Sequence, residues 1–325
     1  MTTNGPDLPA AIELARTAPS IHNTQPWLFH TDGDVLTLLY DDERRLTVLD
    51  PDARSLTISC GAALYLARLG LRLQGFDSTV EIPPAFEGPV RELARIHARP
   101  GPPVTSEEVV LEHAARSRHM QRGPFEPTPV DDETVESLRD AVQEEGAWVR
   151  MLRTPAEQVG LAVLLSRADD AERQEEGYAD ELADWTNRPA GSADGLTPEA
   201  VAANSVPRPS SLRLREFVEG EEPEAAGDDD LPPSAEHPLV AIIGTDADTR
   251  LDWLLAGQAM CALLLQAGVD GVQASPMSQV VDQPWTRRRL ASELGSVGYP
   301  QMVLRLGHAT PGPQTPRRSV DDLIV

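Results

Sequence analysis

The chain has 325 residues and sets 28 Lys+Arg against 52 Asp+Glu, a formal net charge of −24 that repels nucleic acid and anionic membranes from most of the surface. All 28 basic residues are arginine, which excludes a Walker-A lysine, a pyridoxal-phosphate Schiff base and a Ser/Lys dyad, each of which needs an amine. Cys60 and Cys261 lie far apart in apolar stretches and make neither a disulfide framework nor a CxxC cage.

The opening MTTNGPDLPA lacks a signal-peptide pattern, and no run of about 18 apolar residues is seen, so a cytoplasmic chain of about two domains with no membrane partner is expected. Residues 10–16 read as a short helix. The following Pro19-Ser20-Ile21-His22-Asn23-Thr24-Gln25-Pro26-Trp27 reads as an ordered loop, because two prolines bar a continuous helix. Residues 27–30 and 35–40 are β-like, with Gly33 in the turn between them. Over 59–75, Ala62, Ala63, Leu66, Leu69 and Leu73 recur at helical spacing and end at Gly75, suited to a left-handed cap. The Pro/Gly connection at 98–106 marks a boundary before a helical start at Glu107. Beyond it come an amphipathic helix at 130–145, a strand at 148–152 and a helix at 155–176 opened by Pro155. From 185 to 235, prolines, glycines and the stretch EGEEPEAAGDDD break every periodicity, as in a lid or a disordered insert. A strand at 238–244, a nearly all-apolar helix at 251–268, a short helix at 287–294 and a strand at 301–307 complete the chain.

Shifting the chain on itself by 196 positions (257 less 61) sets residues 50–76 on 246–272 without a gap. Asp50, Asp52, Arg54, Gly61, Ala63, Leu69 and Gly75 then coincide with Asp246, Asp248, Arg250, Gly257, Ala259, Leu265 and Gly271. The same order of Asp-rich turn, glycine and apolar helix predicts two copies of one unit, packed helix to helix along a pseudo-twofold, with a site built from both.

Pro19, Ser20, Asn23, Gln25, Pro26 and Trp27 match the pattern Pro-Ser, two residues, Asn, one residue, Gln-Pro-Trp. The loop at 18–27 thereby resembles the flavin-facing loop of the nitroreductase superfamily. A structural turn anchored by Trp27 is the competing reading, but packing alone does not call for Ser, Asn and Gln together. Short polar side chains on a proline-stiffened loop are fixed donors for the negative charge of a reduced flavin. His22 is either a proton donor there or a hydrogen-bonded structural residue.

Arg116-Ser117-Arg118-His119-Met120-Gln121-Arg122 resembles the superfamily's arginine phosphate clamp at 116–122, with Gly123 and Pro124 intervening before Phe125. Arg317 and Arg318 resemble its C-terminal basic pair. Ser275 and Met277 fall where superfamily members aim a backbone N–H at the flavin. Because the loop lies in one half and the clamp in the other, and each half lacks the other's element, one complete site is expected. With Gly298-Tyr299-Pro300-Gln301-Met302, this resembles the Acg-type branch of the superfamily over nearly the whole chain.

That resemblance implies an α+β, nitroreductase-like fold of two fused α/β units, 1–106 and 107–325, forming an intrachain pseudo-dimer with a lid insertion at about 185–235. It implies FMN as cofactor, with no catalytic side chain and no metal, and NAD(P)H as reductant for a small-molecule electron acceptor of the nitro or quinone type. The pseudo-dimer implies a monomer. The alternative is a catalytically weak FMN-sequestering protein whose lid closes off the flavin. No GxGxxG, HExxH or GxSxG motif is present to support other chemistry.

Overall fold

Helix α1 (Leu8–Ala15) begins where the Asp7 side chain accepts the Ala10 N–H and proline occupies the first turn. After the 18–27 loop, β1 (Trp27–Asp32) and β2 (Val35–Tyr40) form an antiparallel hairpin around Gly33, whose φ of +57° suits glycine. Helix α2 (Arg54–Arg72), β3 (Phe76–Glu81) and β4 (Glu92–Pro100) complete an antiparallel sheet of order β1-β2-β4-β3. The protein is described here from a computed structural model, covering residues 5–83, 91–189, 191–204, 212, 215, 236–295 and 298–325.

The second half opens with α3 (Ser106–Ser117), α4 (Asp132–Glu144), β5 (Trp148–Leu152), α5 (Pro155–Gln174), α6 (Tyr178–Thr186) and α7 (Pro198–Asn204). It continues with β6 (Leu239–Thr245), α8 (Arg250–Val269), β7 (Gln273–Pro276), α9 (Gln279–Asp282), α10 (Pro284–Leu294) and β8 (Tyr299–Gly307). Its antiparallel sheet has the order β5-β6-β8-β7, the same plan as the first: two strands, a long helix, then two more strands.

The two long helices start at Arg54 and Arg250, equivalent under the 196-residue shift, and are followed by the equivalent left-handed glycines Gly75 (φ +83°) and Gly271 (φ +71°). Where they cross, a Cβ on Gly61 would collide with the Leu254 carbonyl, and one on Gly257 with the Ile58 carbonyl. Ile58 and Leu254 are themselves equivalent, so the crossing repeats itself under the shift, as contacts about a twofold do. Only glycine admits backbones this close. The largest apolar core runs through this crossing and reaches both sheets; a second lies among α5, α9, α10 and the second sheet. The C-terminus returns to the first sheet: Leu323 O accepts the Phe29 N–H and Val325 N–H donates to Phe29 O, covering the exposed edge of β1.

The structure departs from the sequence reading in several places. β3 and β4 carry too many charges to register as strands, because they are only half buried. The expected 98–106 connection loses its first three residues to β4. α2 begins five residues before the predicted start, since its polar first turn, Arg54, Ser55 and Thr57, is buried. α8 is long and apolar enough to cross a bilayer by length and composition, contrary to expectation; in this fold it is a core helix with its charges, Arg250 and Asp252, at one end. Of the expected lid, α7 is helical, while residues 190, 205–211, 213–214 and 216–235 lie outside the described residues.

Candidate functional site

The 18–27 loop holds three non-glycine residues at positive φ, His22 (44°), Asn23 (58°) and Gln25 (50°), a costly run that its surroundings must enforce. Ser20 Oγ accepts the Gln25 N–H at 2.9 Å, and Ser59 Oγ of α2 accepts the Ile21 N–H at 3.2 Å. Asn23 Nδ2 donates to Gly195 O and Pro316 O at 2.9 and 3.0 Å, while its Oδ1 accepts Arg317 Nη1 at 2.8 Å. Gln25 Nε2 donates to Ala193 O at 2.8 Å, and its Oε1 accepts the Arg318 N–H at 2.8 Å. The two amides therefore spend their donors on backbone and dock two remote segments, 193–195 and 315–318, onto the loop.

Two adjoining cavities open beside it. The larger, about 90 Å³, is lined by Pro19, Ser20, Ile21 and His22 from the loop, by Ser55, Ile58 and Ser59 of α2, and by Met260 of α8. Ser275, Pro276, Ser278, Gln279, Met302, Met120, Arg122 and Arg215 complete the wall. Both halves contribute. The smaller, about 30 Å³, shares Pro19, Ser20, Met120 and Arg122 and adds Asn23, Arg118, Pro313, Thr315 and Arg317.

The small cavity is cationic. Burial pulls the Arg118 guanidinium below its ordinary range and brings Arg122 down to about 10; burial, then Arg118 and Arg16, bring Arg317 down to about 9. Arg118 Nη2 donates to Thr17 O at 2.9 Å, and the buried Nε atoms of Arg118 and Arg317 have no hydrogen-bond partner among the described residues. Among the described residues no carboxylate pairs with Arg118 or Arg317. Burying guanidinium groups together without counter-charge is costly, a cost that an anion would relieve.

Around Arg215, in the wall of the larger cavity, the balance reverses. Arg215 Nη2 lies 2.7 Å from Glu172 Oε1 and 2.9 Å from Asp282 Oδ2. Asp282 Oδ1 accepts Arg54 Nη2 at 2.9 Å and Ser55 Oγ at 3.1 Å, and Tyr178 donates to Glu172 at 3.2 Å. Burial would lower Arg215, but Glu172, Tyr178 and Asp282 outweigh it and hold its pKa above the ordinary value. Its Nη1 lies 3.2 Å from His22 Nε2, which must accept, since guanidinium only donates. Burial, Arg215 and Arg122 push His22 well below its usual range. It is therefore neutral near pH 7, and the structure favours its hydrogen-bonded role over that of a proton donor.

Of the residues expected from sequence, Pro19, Ser20, His22, Asn23, Arg118, Arg122, Ser275 and Arg317 line one or both cavities. Gln25, Pro26, Trp27, Arg116, Ser117, Met277 and Arg318 line neither. Trp27 and Met277 are core residues. Arg116 pairs with Glu112 on the exposed face of α3, and the Ser117 hydroxyl bonds back to His113 O. Arg318 reaches Asp41 at 3.5 Å and Asp322 O at 2.7 Å. The sequence reading missed Ile58, Ser59, Met260, Gln279, Met302 and Arg215. The first three belong to the repeated helices, where an inward face was foreseeable. Arg215 sits in a stretch without periodicity and left no signal.

No family model matches the chain. It is 30% identical over its whole length to a Mycobacterium tuberculosis H37Rv protein provisionally named NAD(P)H nitroreductase Rv3131, covering 93% of that protein. It is 26% identical over 97% of its length to the similarly named Acg of the same strain, covering 94% of it. Among solved structures, the FMN-dependent nitroreductase NfnB from Mycobacterium smegmatis in complex with NADPH overlaps 67% of this chain and 97% of its own at 15% identity and a TM-score of 0.42. With that identity maintained from end to end, the chain belongs to the NAD(P)H nitroreductase family that includes Rv3131 and Acg.

Proposed function

We propose that this protein is an FMN-dependent NAD(P)H oxidoreductase that binds one flavin mononucleotide across the two cavities and reduces a small nitro, quinone or similar acceptor. The observation that carries the reading is the cluster of Arg118, Arg122 and Arg317. Buried arginines, two of them facing no described carboxylate, fit a phosphate dianion by charge-assisted hydrogen bonds. The adjoining cavity, walled by Ile58, Met260, Pro276 and Met302 with hydroxyls from Ser20, Ser59 and Ser275, suits a planar ring with polar edges. A tricyclic ring needs more room than about 90 Å³. Of the four residues that line both cavities, Pro19, Ser20, Met120 and Arg122, Met120 is an unbranched thioether with the freedom to move aside.

Bound FMN supplies a two-electron carrier between NAD(P)H and the acceptor. The chain's own part is to bind, orient and keep water out. Arg118, Arg122 and Arg317 hold the phosphate, Pro19 and Ser20 edge the ring, and the apolar wall excludes solvent. Asn23 acts at one remove, by holding Arg317. The residues at 1–106 and 107–325 are read as two units of an intrachain pseudo-dimer working as a cytoplasmic monomer. The repeated sheet order and the isologous glycine crossing support that reading.

A second reading is a catalytically weak FMN-holding protein, with the insertion as a cover. It is favoured by the position of Arg215, an insertion residue, in the wall of the larger cavity. Acid release of cofactor from the purified protein, followed by anaerobic mixing with NADH or NADPH, separates the two. One FMN per chain that bleaches rapidly supports the enzyme. A flavin that bleaches only with dithionite supports holding. Two flavins per chain, or none, would defeat both.

A further inference from the structure

The small cavity is walled in part by two segments far apart in the chain. Arg118, Met120 and Arg122 come from the stretch after α3, and Pro313, Thr315 and Arg317 from the tail that follows β8. The tail is tied down at both ends: His308 O accepts the Glu126 N–H, and Asn23 and Gln25 hold Arg317 and Arg318. Between these anchors the Gly312 N–H donates to His119 Nε2 at 2.8 Å. His119 follows Arg118 directly, and two residues further on the Gln121 N–H donates to Ala274 O of β7, which fixes the base of the ring. The imidazole therefore joins the two segments that carry the arginines.

That bond dictates the state of the ring. A backbone N–H only donates, so Nε2 must carry a lone pair, and the proton of the neutral ring sits on Nδ1, which faces Ser117 O at 3.4 Å. A second proton would set N–H against N–H and break the tie. Burial first, and Arg118 more weakly, hold the pKa below its ordinary value, while the Ser117 carbonyl opposes them. Among the described residues Arg118 is the charge that bears on the ring. The uncharged Gln121 shares its contact with Gly312, where a Cβ would lie 3.1 Å from Gln121 Oε1 and 3.9 Å from the His119 ring. The neutral ring thus favours the native tail, a contribution present above about pH 6.5 and lost as pH falls through the ring's lowered value. Resting on FMN binding as the function, we propose that His119 is a positioning residue for the cofactor's phosphate. While neutral it latches the segment of Arg317 to that of Arg118, and on taking up a proton it lets go.

Two variants separate a latch from a merely structural histidine. His119→Gln offers an amide oxygen in place of Nε2 and cannot take up a proton, while His119→Ala removes the acceptor at every pH. Dissociation of FMN from the loaded protein is followed by the return of flavin fluorescence on dilution, from about pH 7.5 to about pH 5. At the upper end the wild type and His119→Gln should agree within about threefold, with His119→Ala about tenfold faster. On acidification the wild type should speed up about tenfold more than His119→Gln, since protonation of the phosphate itself near about pH 6 is common to both. Amide hydrogen exchange of residues 309–314 in the FMN-free protein, compared between chains at each pH, reads the latch without the cofactor. If His119→Ala fails to fold, the wild type and His119→Gln carry the test.

The same acid response of FMN dissociation in the wild type and His119→Gln would overturn the proposal. So would exchange at 309–314 that is no faster in the wild type than in His119→Gln at low pH. A chain that binds no FMN would overturn the cofactor reading, and the exchange contrast would still show the latch. FMN that binds but leaves all three chains at one rate would remove His119 from the site and leave the cofactor reading standing.

Discussion

Two groups of buried arginines line two adjoining cavities and are in opposite electrostatic states. Arg118, Arg122 and Arg317 are pulled down by burial, and no described carboxylate faces the first or the last. Arg215, as deeply buried, is held up by Glu172 and Asp282. Residue type is the same; counter-charge decides whether a buried guanidinium is a joint or is left open to a ligand's charge. On the function proposed above, the first cluster costs the empty fold stability and a bound phosphate would repay it. The second is complete in itself and ties the insertion, α2, α5 and α9 together.

The sharpest way to break this contrast is to truncate one member of each group. Arg215→Ala strands two buried carboxylates and should cost about 3–5 kcal/mol in urea denaturation of the apo protein. Arg118→Ala or Arg317→Ala should leave apo stability unchanged or raise it. A loss like that of Arg215→Ala would mean these arginines are joints too.

The ligand side follows. Arg118→Ala and Arg317→Ala should each weaken FMN by about 2–4 kcal/mol while riboflavin binding changes little, measured by quenching of flavin fluorescence. Equal losses for both ligands would remove the phosphate from the cluster.

A pH titration sharpens the same point. With burial bringing Arg317 down to about 9 and Arg122 to about 10, the apo protein should lose these charges in the range where arginine ordinarily keeps them. Above pH 9 the fold then binds fewer protons than the unfolded chain, so this cluster's contribution makes apo stability rise with pH. FMN affinity should move the other way, falling about tenfold by pH 10. In Arg317→Gln the fall should begin later. Affinity flat to pH 10 in the wild type would contradict the depressed values.

The smallest effect tests the indirect role of Asn23. Asn23→Ala removes the 2.8 Å acceptor for Arg317 Nη1 and should weaken FMN by about 1 kcal/mol, in a cycle non-additive with Arg317→Ala. Additivity would mean that Asn23 acts independently of Arg317.

The long repeated helices and the hairpin after the loop were legible because each is a local pattern of spacing and caps; that the equivalent Gly61 and Gly257 sit at the helix crossing was not. The shift of 196 positions sets the two observed helix starts, Arg54 and Arg250, on each other, although the pattern of apolar residues alone began the first helix five residues late, because its polar first turn is buried. The six-position loop motif was legible as well, but its meaning changed. Asn23 and Gln25, polar and apparently ligand-facing, are mostly consumed in holding backbone at positive φ and in docking remote segments.

The sequence by itself determined the family, the repeated long helices and the presence of arginine clusters, all written in short-range order. Only the tertiary structure decided which arginines face one another and which face acids. Arg116 and Arg118 are two residues apart, yet one lies in solvent against Glu112 and the other in a buried pocket with Arg317. Arg215 reaches Glu172 and Asp282 across 43 and 67 residues of chain. Counter-charge is a property of space, and no local pattern records it.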